Sequence, residues 1–190
     1  MTQTLDSVKE QIPERPAMRR DLLKLRKESS PQLRQLWHRD ISQQVSTIMQ
    51  QMRPHRLAVY WPIQAEPDLQ LCYQELHQAG IELALPLVIA KGQALRFVQW
   101  APGDAMDIDD FGIPIPRARD TYVTPDALLI PCVGFNQQAY RLGYGGGFYD
   151  RSLAELPQAK SIGIAYRLAA CDFQAEEHDI ALSMIICNHS

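Results

Sequence analysis

Four glycines, Gly143, Gly145, Gly146 and Gly147, fall within five positions of the segment RLGYGGGFYDR, which runs from Arg141 to Arg151. Glycine tolerates positive φ and lets backbone N–H groups approach an anion closely. Phe148 to Leu156 reads as a helix, so its N-terminus adds a dipole that favours negative charge. A phosphate fits such a corner, with Arg141 as a charge-assisted donor. The loop is not a Walker A sequence, because no Gly-Lys-Ser/Thr closes it. It is not G-x-G-x-x-G either, because Phe148 stands where the last glycine would be. A plain glycine-rich turn is the competing reading; it accounts for one or two glycines but not for four beside Arg141, Asp150 and Arg151.

Elements on both sides have to hold this loop. Residues 1–14 carry no helical or strand period and are expected to form a flexible leader, with a single domain over 15–190. Arg15 to Lys27 spaces six basic residues around Met18, Leu22, Leu23 and Leu25, which predicts a short amphipathic helix with a positive face. Ser30 and Pro31 signal a helix start, and Leu33, Leu36, Trp37, Ile41, Val45, Ile48, Met49 and Met52 follow at helical spacing. Leu57–Trp61 reads as a strand, Asp68–Ala79 as a helix stopped by Gly80, and Glu82–Pro86 as the next strand, which implies a parallel crossover unit. Leu95–Trp100, Ala127–Phe135, Ser161–Tyr166 and Met184–Cys187 are further strands, and the proline-rich stretch from Pro102 to Pro116 is expected to be irregular. The alternation predicts an α/β fold, a single three-layer α/β/α domain with a mostly parallel sheet.

Composition narrows the function classes. Hydrophobic residues make up 46% and charged residues 22%, which excludes a disordered or fibrous chain. A net charge of −3 gives no global pull toward nucleic acid or anionic membranes, so an anion site has to be local. The longest apolar run, Ala127–Phe135, has nine residues, against the roughly 20 that span a bilayer. Cys72, Cys132, Cys171 and Cys187 lack C-x-x-C or zinc spacing and read as reduced thiols of a cytoplasmic protein. Without coiled-coil heptads, a monomer is expected.

The loop segment resembles the signature of the 5-formyltetrahydrofolate cyclo-ligase family. The similarity extends over roughly Arg15 to Cys187: Asp126–Phe135 precedes the loop at the family's usual distance, FGIPIP from Phe111 to Pro116 resembles its proline-rich loop, and YWPIQAE from Tyr60 to Glu66 falls where it ends a strand. The resemblance implies that ATP phosphorylates the formyl oxygen of 5-formyltetrahydrofolate, N10 attacks the activated carbon, and phosphate departs. ATP and Mg2+ are the implied cofactors and the reduced folate the implied small-molecule partner. Arg141 is the implied catalytic residue, and Leu142, Gly143, Tyr144, Gly145, Gly146, Gly147, Phe148 and Tyr149, together with Arg15 and Arg19 one helical turn apart, are the implied ATP contacts. Trp61, Glu66, Phe111 and Phe148 are the implied substrate contacts. Asp150, and Asp179 in an H-D pair with His178, are the implied metal ligands. After that pair the chain departs from the family, with Ser183, Cys187 and Asn188 where acidic and Thr-Glu residues are usual.

Two other readings use the same residues. A phosphate-binding protein on a similar scaffold would need the loop but not Glu66. A docking module would use the basic helix and require neither.

Overall fold

The computed structural model describes residues 14–189. Apart from Glu14, the leader expected over 1–14 lies outside the described residues. The first helix, α1 (Arg15–Glu28), carries a proline in its first turn, and α2 (Pro31–Met52) begins as its sequence predicts: Ser30 caps it by accepting the Leu33 N–H at 3.2 Å. The helix ends in the left-handed Arg53, whose N–H returns to the Met49 carbonyl at 2.8 Å. Leu33 and Leu36 are exposed, because the stripe that packs inward starts at Trp37 and continues through Ile41, Val45, Ile48, Met49 and Met52.

There follow β1 (Arg56–Ala58), α3 (Gln70–Gln78), β2 (Glu82–Leu87), β3 (Arg96–Trp100), β4 (Met106–Ile108), β5 (Pro114–Pro116), β6 (Tyr122–Val123) and β7 (Ala127–Pro131). The remainder is β8 (Gly134–Phe135), β9 (Arg141–Leu142), α4 (Phe148–Glu155), β10 (Lys160–Ile164), a 3-10 turn at Arg167–Ala169 and β11 (Met184–Ile186). Seven strands form the main sheet in the order β11-β10-β7-β1-β2-β3-β6. The first five of that order are mutually parallel and the last two add antiparallel, so the sheet is mostly parallel and β1-α3-β2 is the expected crossover.

Alternation along the strands sorts the core onto two faces. Leu57, Leu83, Leu85, Leu129, Ile162 and Ile164 meet α2 and α3 on one face. Ala58, Ala84, Leu128 and Ile130 meet Leu153 of α4 on the other. This is the three-layer α/β/α arrangement. No helix among the described residues is long and apolar enough to cross a membrane.

Two expected strands and one expected irregular stretch are corrected. Leu57–Trp61 is a ladder only through Ala58; Val59 still donates to the Ala84 carbonyl at 2.9 Å, after which the chain leaves the sheet through the left-handed Gln64 and Ala65. Ala127–Phe135 is two strands, because after Cys132 the backbone pairs with β9 in an antiparallel hairpin instead of continuing in the sheet. The stretch from Pro102 to Pro116, expected to be irregular, contains the β4–β5 hairpin, and its turn is fixed by Asp109 Oδ1 accepting the N–H groups of Phe111 at 2.9 Å and Ile113 at 2.8 Å.

Gly163 in β10, beside the edge strand β11, has no room for a side chain. A Cβ there would lie 2.4 Å from Ile185 Cδ1, 2.7 Å from Leu182 Cδ1 and 3.1 Å from Cys132 Sγ. Gly163→Val should therefore cost about 1–3 kcal/mol of unfolding free energy through overpacking, read as a lowered urea midpoint at constant slope. An unchanged midpoint would mean that these neighbours yield freely.

Candidate active site

The glycine loop joins β9 to α4. Gly145 and Gly147 have φ of 94° and 65°, a region that side chains disfavour, and Gly147 is the residue that caps α4. A Cβ on Gly146 would strike the Phe148 ring at 2.8 Å. Two arginines hold the loop by its carbonyls: Arg19 Nε donates to Gly143 O at 2.8 Å, and Arg151 Nη2 donates to Gly146 O at 2.6 Å. No backbone N–H from Gly143 to Gly147 donates a hydrogen bond among the described residues. Five donors at a helix N-terminus are thus left for an anion.

Arg141, expected foremost at the phosphates, is enclosed. Its side chain is 4% exposed, with Nη2 2.9 Å from Asp150 Oδ1, Nη1 donating to Ile180 O at 3.4 Å, and the guanidinium over the Tyr149 ring at 5.9 Å. These contacts tie the end of β9 to the start of α4. Arg19 instead keeps its terminal nitrogens out of any hydrogen bond among the described residues, beside Gly145. Leu142 is also directed inward, packing with Met18 and Phe173, and Phe148 and Tyr149 lie against the core on the α4 side.

Arg15 and Arg19 do share one face of α1, and the fold gives them different tasks. Arg15 makes a two-bonded ion pair with Asp179, lies 3.3 Å from Glu176 Oε1, and donates to Gln174 O at 2.7 Å. The bond to Asp179 raises the Arg15 pKa further. Burial pushes the Asp179 carboxyl upward, but the Arg15 guanidinium and the Glu176 N–H outweigh it and hold the group below the usual carboxylate range. Asp150 reaches the same segment by accepting the Ile180 N–H at 3.2 Å. Arg15, Arg141, Asp150 and Asp179, scattered in sequence, thus form one charged cluster beside the glycine loop.

Among the described residues no three His, Cys, Asp or Glu side chains converge as a metal cage. Both oxygens of Asp179 are taken by Arg15, and Asp150 Oδ1 by Arg141 and Ile180. Asp150 Oδ2 makes no hydrogen bond among the described residues. This set fits Mg2+ that arrives with most of its ligands on phosphate and water, the usual mode for that ion, and not a resident all-protein site.

Glu66 lies across the loop from this cluster. It is 3% exposed, and its Oε2 accepts the Ile63 N–H at 2.9 Å. Its Oε1 accepts the Tyr144 hydroxyl at 2.7 Å, which ties the glycine loop directly to the end of β1. Burial pushes the Glu66 pKa up, against the two hydrogen bonds and the charge of Arg26. Trp61 packs edge-on against Trp100, whose buried indole N–H has no hydrogen-bond partner among the described residues. Phe111 is 68% exposed on the β4–β5 turn, and no ring contact or hydrogen bond among the described residues ties it to Glu66 or to the loop.

The positive face expected of α1 includes one residue that the fold buries beside the loop, Arg26. Arg26 is 1% exposed and lies beneath Tyr144, with Nη2 donating to Cys132 O at 2.5 Å. A signal existed: Arg26 continues the spacing of Met18 and Leu22, so it stands where the helix faces inward. Cys132 itself has its thiol pushed up to about 12 by burial and stays protonated. Alongside Tyr144, an open groove of about 590 Å³ is lined by Arg19, Arg20, Leu23, Lys24, Lys27 and Glu28, in which the basic side chains outnumber the one carboxylate.

Residues 11–188 match the model of the 5-formyltetrahydrofolate cyclo-ligase family. The chain is 28% identical to the 5-formyltetrahydrofolate cyclo-ligase of Haemophilus influenzae over 90% of its own length and 96% of that protein's. It is 31% identical to the Escherichia coli K12 protein of the same name, over 77% and 87% respectively. A 52% identical match to the Mycoplasma pneumoniae cyclo-ligase is confined to 62 residues, 38% of that relative. Among solved structures, a 5,10-methenyltetrahydrofolate synthetase from Mycoplasma pneumoniae superimposes with a TM-score of 0.73 at 29% identity, over 92% of this chain and 98% of that one. The Aquifex aeolicus synthetase shares the fold, with a TM-score of 0.78 at 23% identity over 93% of this chain and 90% of that one.

The Arg15–Asp179 pair should be visible in the pH dependence of stability. Because the folded pKa of Asp179 lies below its unfolded value near 3.8, the carboxylate's contribution is present above that value and is lost as pH falls through the folded one. Asp179→Asn should thus lower the unfolding free energy by about 1.5–3 kcal/mol at pH 7, in the range of a charged hydrogen bond. The difference from wild type should shrink below pH 4; a gap that is constant with pH would assign the loss to packing.

Proposed function

The chain belongs to the 5-formyltetrahydrofolate cyclo-ligase family, and from this premise we propose that it closes 5-formyltetrahydrofolate to 5,10-methenyltetrahydrofolate with ATP and Mg2+. The observation that carries the reading is the five unused N–H groups of Gly143–Gly147, which share the Tyr144 side chain with a buried carboxylate, Glu66. An anion cradle and an acceptor for the donor edge of a pterin thereby adjoin. A protein that only held phosphate would have no use for Glu66 at this place, which favours the ligase over the simpler binding protein.

In the proposed reaction the formyl oxygen attacks the γ-phosphorus and the bond to ADP breaks. N10 then adds to the activated formyl carbon and loses its proton, and the carbon–oxygen bond to phosphate breaks as the ring closes. The transferring phosphoryl group needs fixed donors and positive charge more than covalent help. The backbone of Gly143–Gly147 and the free end of Arg19 supply them. Arg141 acts from behind, holding Asp150 and the first turn of α4 in place. Mg2+ bound to the phosphates would neutralise the charge that develops on them, with Asp150 Oδ2 as the protein ligand within the cluster. Glu66 orients the pterin, with Trp61 and Phe148 as apolar walls. All these groups come from one chain, so a monomer suffices.

Purified protein mixed with 5-formyltetrahydrofolate, Mg2+ and ATP should give an ATP-dependent rise at the methenyltetrahydrofolate absorption band; ATP binding without that rise would overturn the ligase reading in favour of simple nucleotide binding. Arg19→Ala should raise KM for ATP by tenfold or more, from loss of a charge-assisted contact of about 1.5–3 kcal/mol. Asp150→Asn should move the Mg2+ concentration for half-maximal rate upward, and an unaltered titration would remove Asp150 from the metal.

A further inference from the structure

A guanidinium is expensive to bury, and Arg26 is buried without a carboxylate in direct contact. An apolar residue at this position would simply extend the inward stripe of Met18 and Leu22. What the arginine does instead is read from its bonds. Nη2 donates to the Cys132 carbonyl at 2.5 Å, which anchors the side chain to the end of β7, and Nη1 donates to the Tyr144 hydroxyl oxygen at 3.3 Å. Arginine has only donors, so the Tyr144 oxygen is the acceptor in that bond and its single proton is left for Glu66 Oε1, 2.7 Å away. The chain Arg26 to Tyr144 to Glu66 therefore runs in one direction only. We propose that Arg26 is a positioning residue for substrate binding, acting through the Tyr144 hydroxyl to hold Glu66 as an ionised carboxylate with acceptor capacity to spare. The inference rests on the reading above, in which Glu66 receives the folate.

The surroundings of Glu66 leave this task to Arg26. The titratable groups near enough to feel its charge are Tyr60 just after β1, Tyr73 from α3, Cys132 after β7, Tyr144 from the loop, Tyr149 from α4 and Tyr166 after β10. Burial raises the pKa of every one of them, so all are neutral near pH 7. The charge that opposes the burial of Glu66 comes from Arg26. Without it, or without the hydroxyl that relays it, the carboxyl would take up a proton at higher pH and would present a donor where a pterin N–H needs an acceptor.

The test reads Glu66 directly, by carbon-13 NMR titration of side-chain carboxyls in labelled protein, with a Glu66→Gln sample to assign the resonance. Tyr144→Phe removes only the hydroxyl, Arg26→Gln removes the charge, and Arg26→Lys keeps charge without the fork. The Glu66 titration should move upward by about one pH unit or more in Tyr144→Phe and Arg26→Gln, less in Arg26→Lys, and no further in the double variant than in either single one. Binding of 5-formyltetrahydrofolate without ATP, followed by tryptophan fluorescence, should weaken by tenfold or so at neutral pH, with its acidic limb displaced by the same amount. An unmoved Glu66 titration in Tyr144→Phe would overturn the proposal even if Arg26→Gln failed to fold. A moved titration in a protein that binds no folate would support the Arg26 relay and overturn the functional reading.

Discussion

The Arg141–Asp150 ion pair is the constraint from which the site is assembled. Its two residues bracket the glycine loop, one in β9 and one in the first turn of α4, so their 2.9 Å contact closes the loop like a ring. The pair also reaches outward, because Asp150 accepts the Ile180 N–H and Arg141 donates to the Ile180 carbonyl. Breaking it would leave a guanidinium with 4% of its side chain exposed to find another partner, a loss far larger than that of a surface pair. Loop curvature, helix start and C-terminal segment thus depend on one interaction.

Helix α1 is the second organising element, and it belongs to neither face of the main sheet. Its apolar contribution is small: Met18, helped by Leu22, packs on Leu142 and Phe173. Arginines on one face supply the rest, with Arg15 fastening the segment around Asp179, Arg19 the first loop carbonyl and Arg26 the loop tyrosine. Such polar attachments are individually modest but directional. They determine where the loop stands relative to Glu66, which hydrophobic contact alone would leave loose.

Electrostatically the site has two unlike halves. Around Asp150 and Asp179 the charges are dense and matched, Arg141 against Asp150 and Arg15 against Asp179, and the loop adds backbone donors that are unbonded among the described residues. Around Glu66 the groups are apolar or neutral phenols and a thiol, and a single guanidinium opposes the burial of the carboxylate. The glycine loop joins both halves, with its N–H groups unbonded among the described residues and its Tyr144 hydroxyl committed to the second.

Sequence alone determined the loop, the three-layer architecture and the start of α2, because these follow from local rules: glycine clustering, hydrophobic period and the Ser30–Pro31 cap. It also put Asp150 and Asp179 forward together, through resemblance to a family and not through spacing, since 29 positions separate them. The limits of β1 and β7 were misread because an apolar run continues past the point where hydrogen bonding changes partner, and periodicity registers burial but not pairing. Only the tertiary structure decided which arginine is enclosed and which is open. Arg15, Arg19, Arg26 and Arg141 are chemically alike in sequence; their roles diverge because a carboxylate, a carbonyl, a phenol or solvent happens to face each one, and those neighbours come from segments more than a hundred residues away except at Arg141, where the decisive partner is nine positions on.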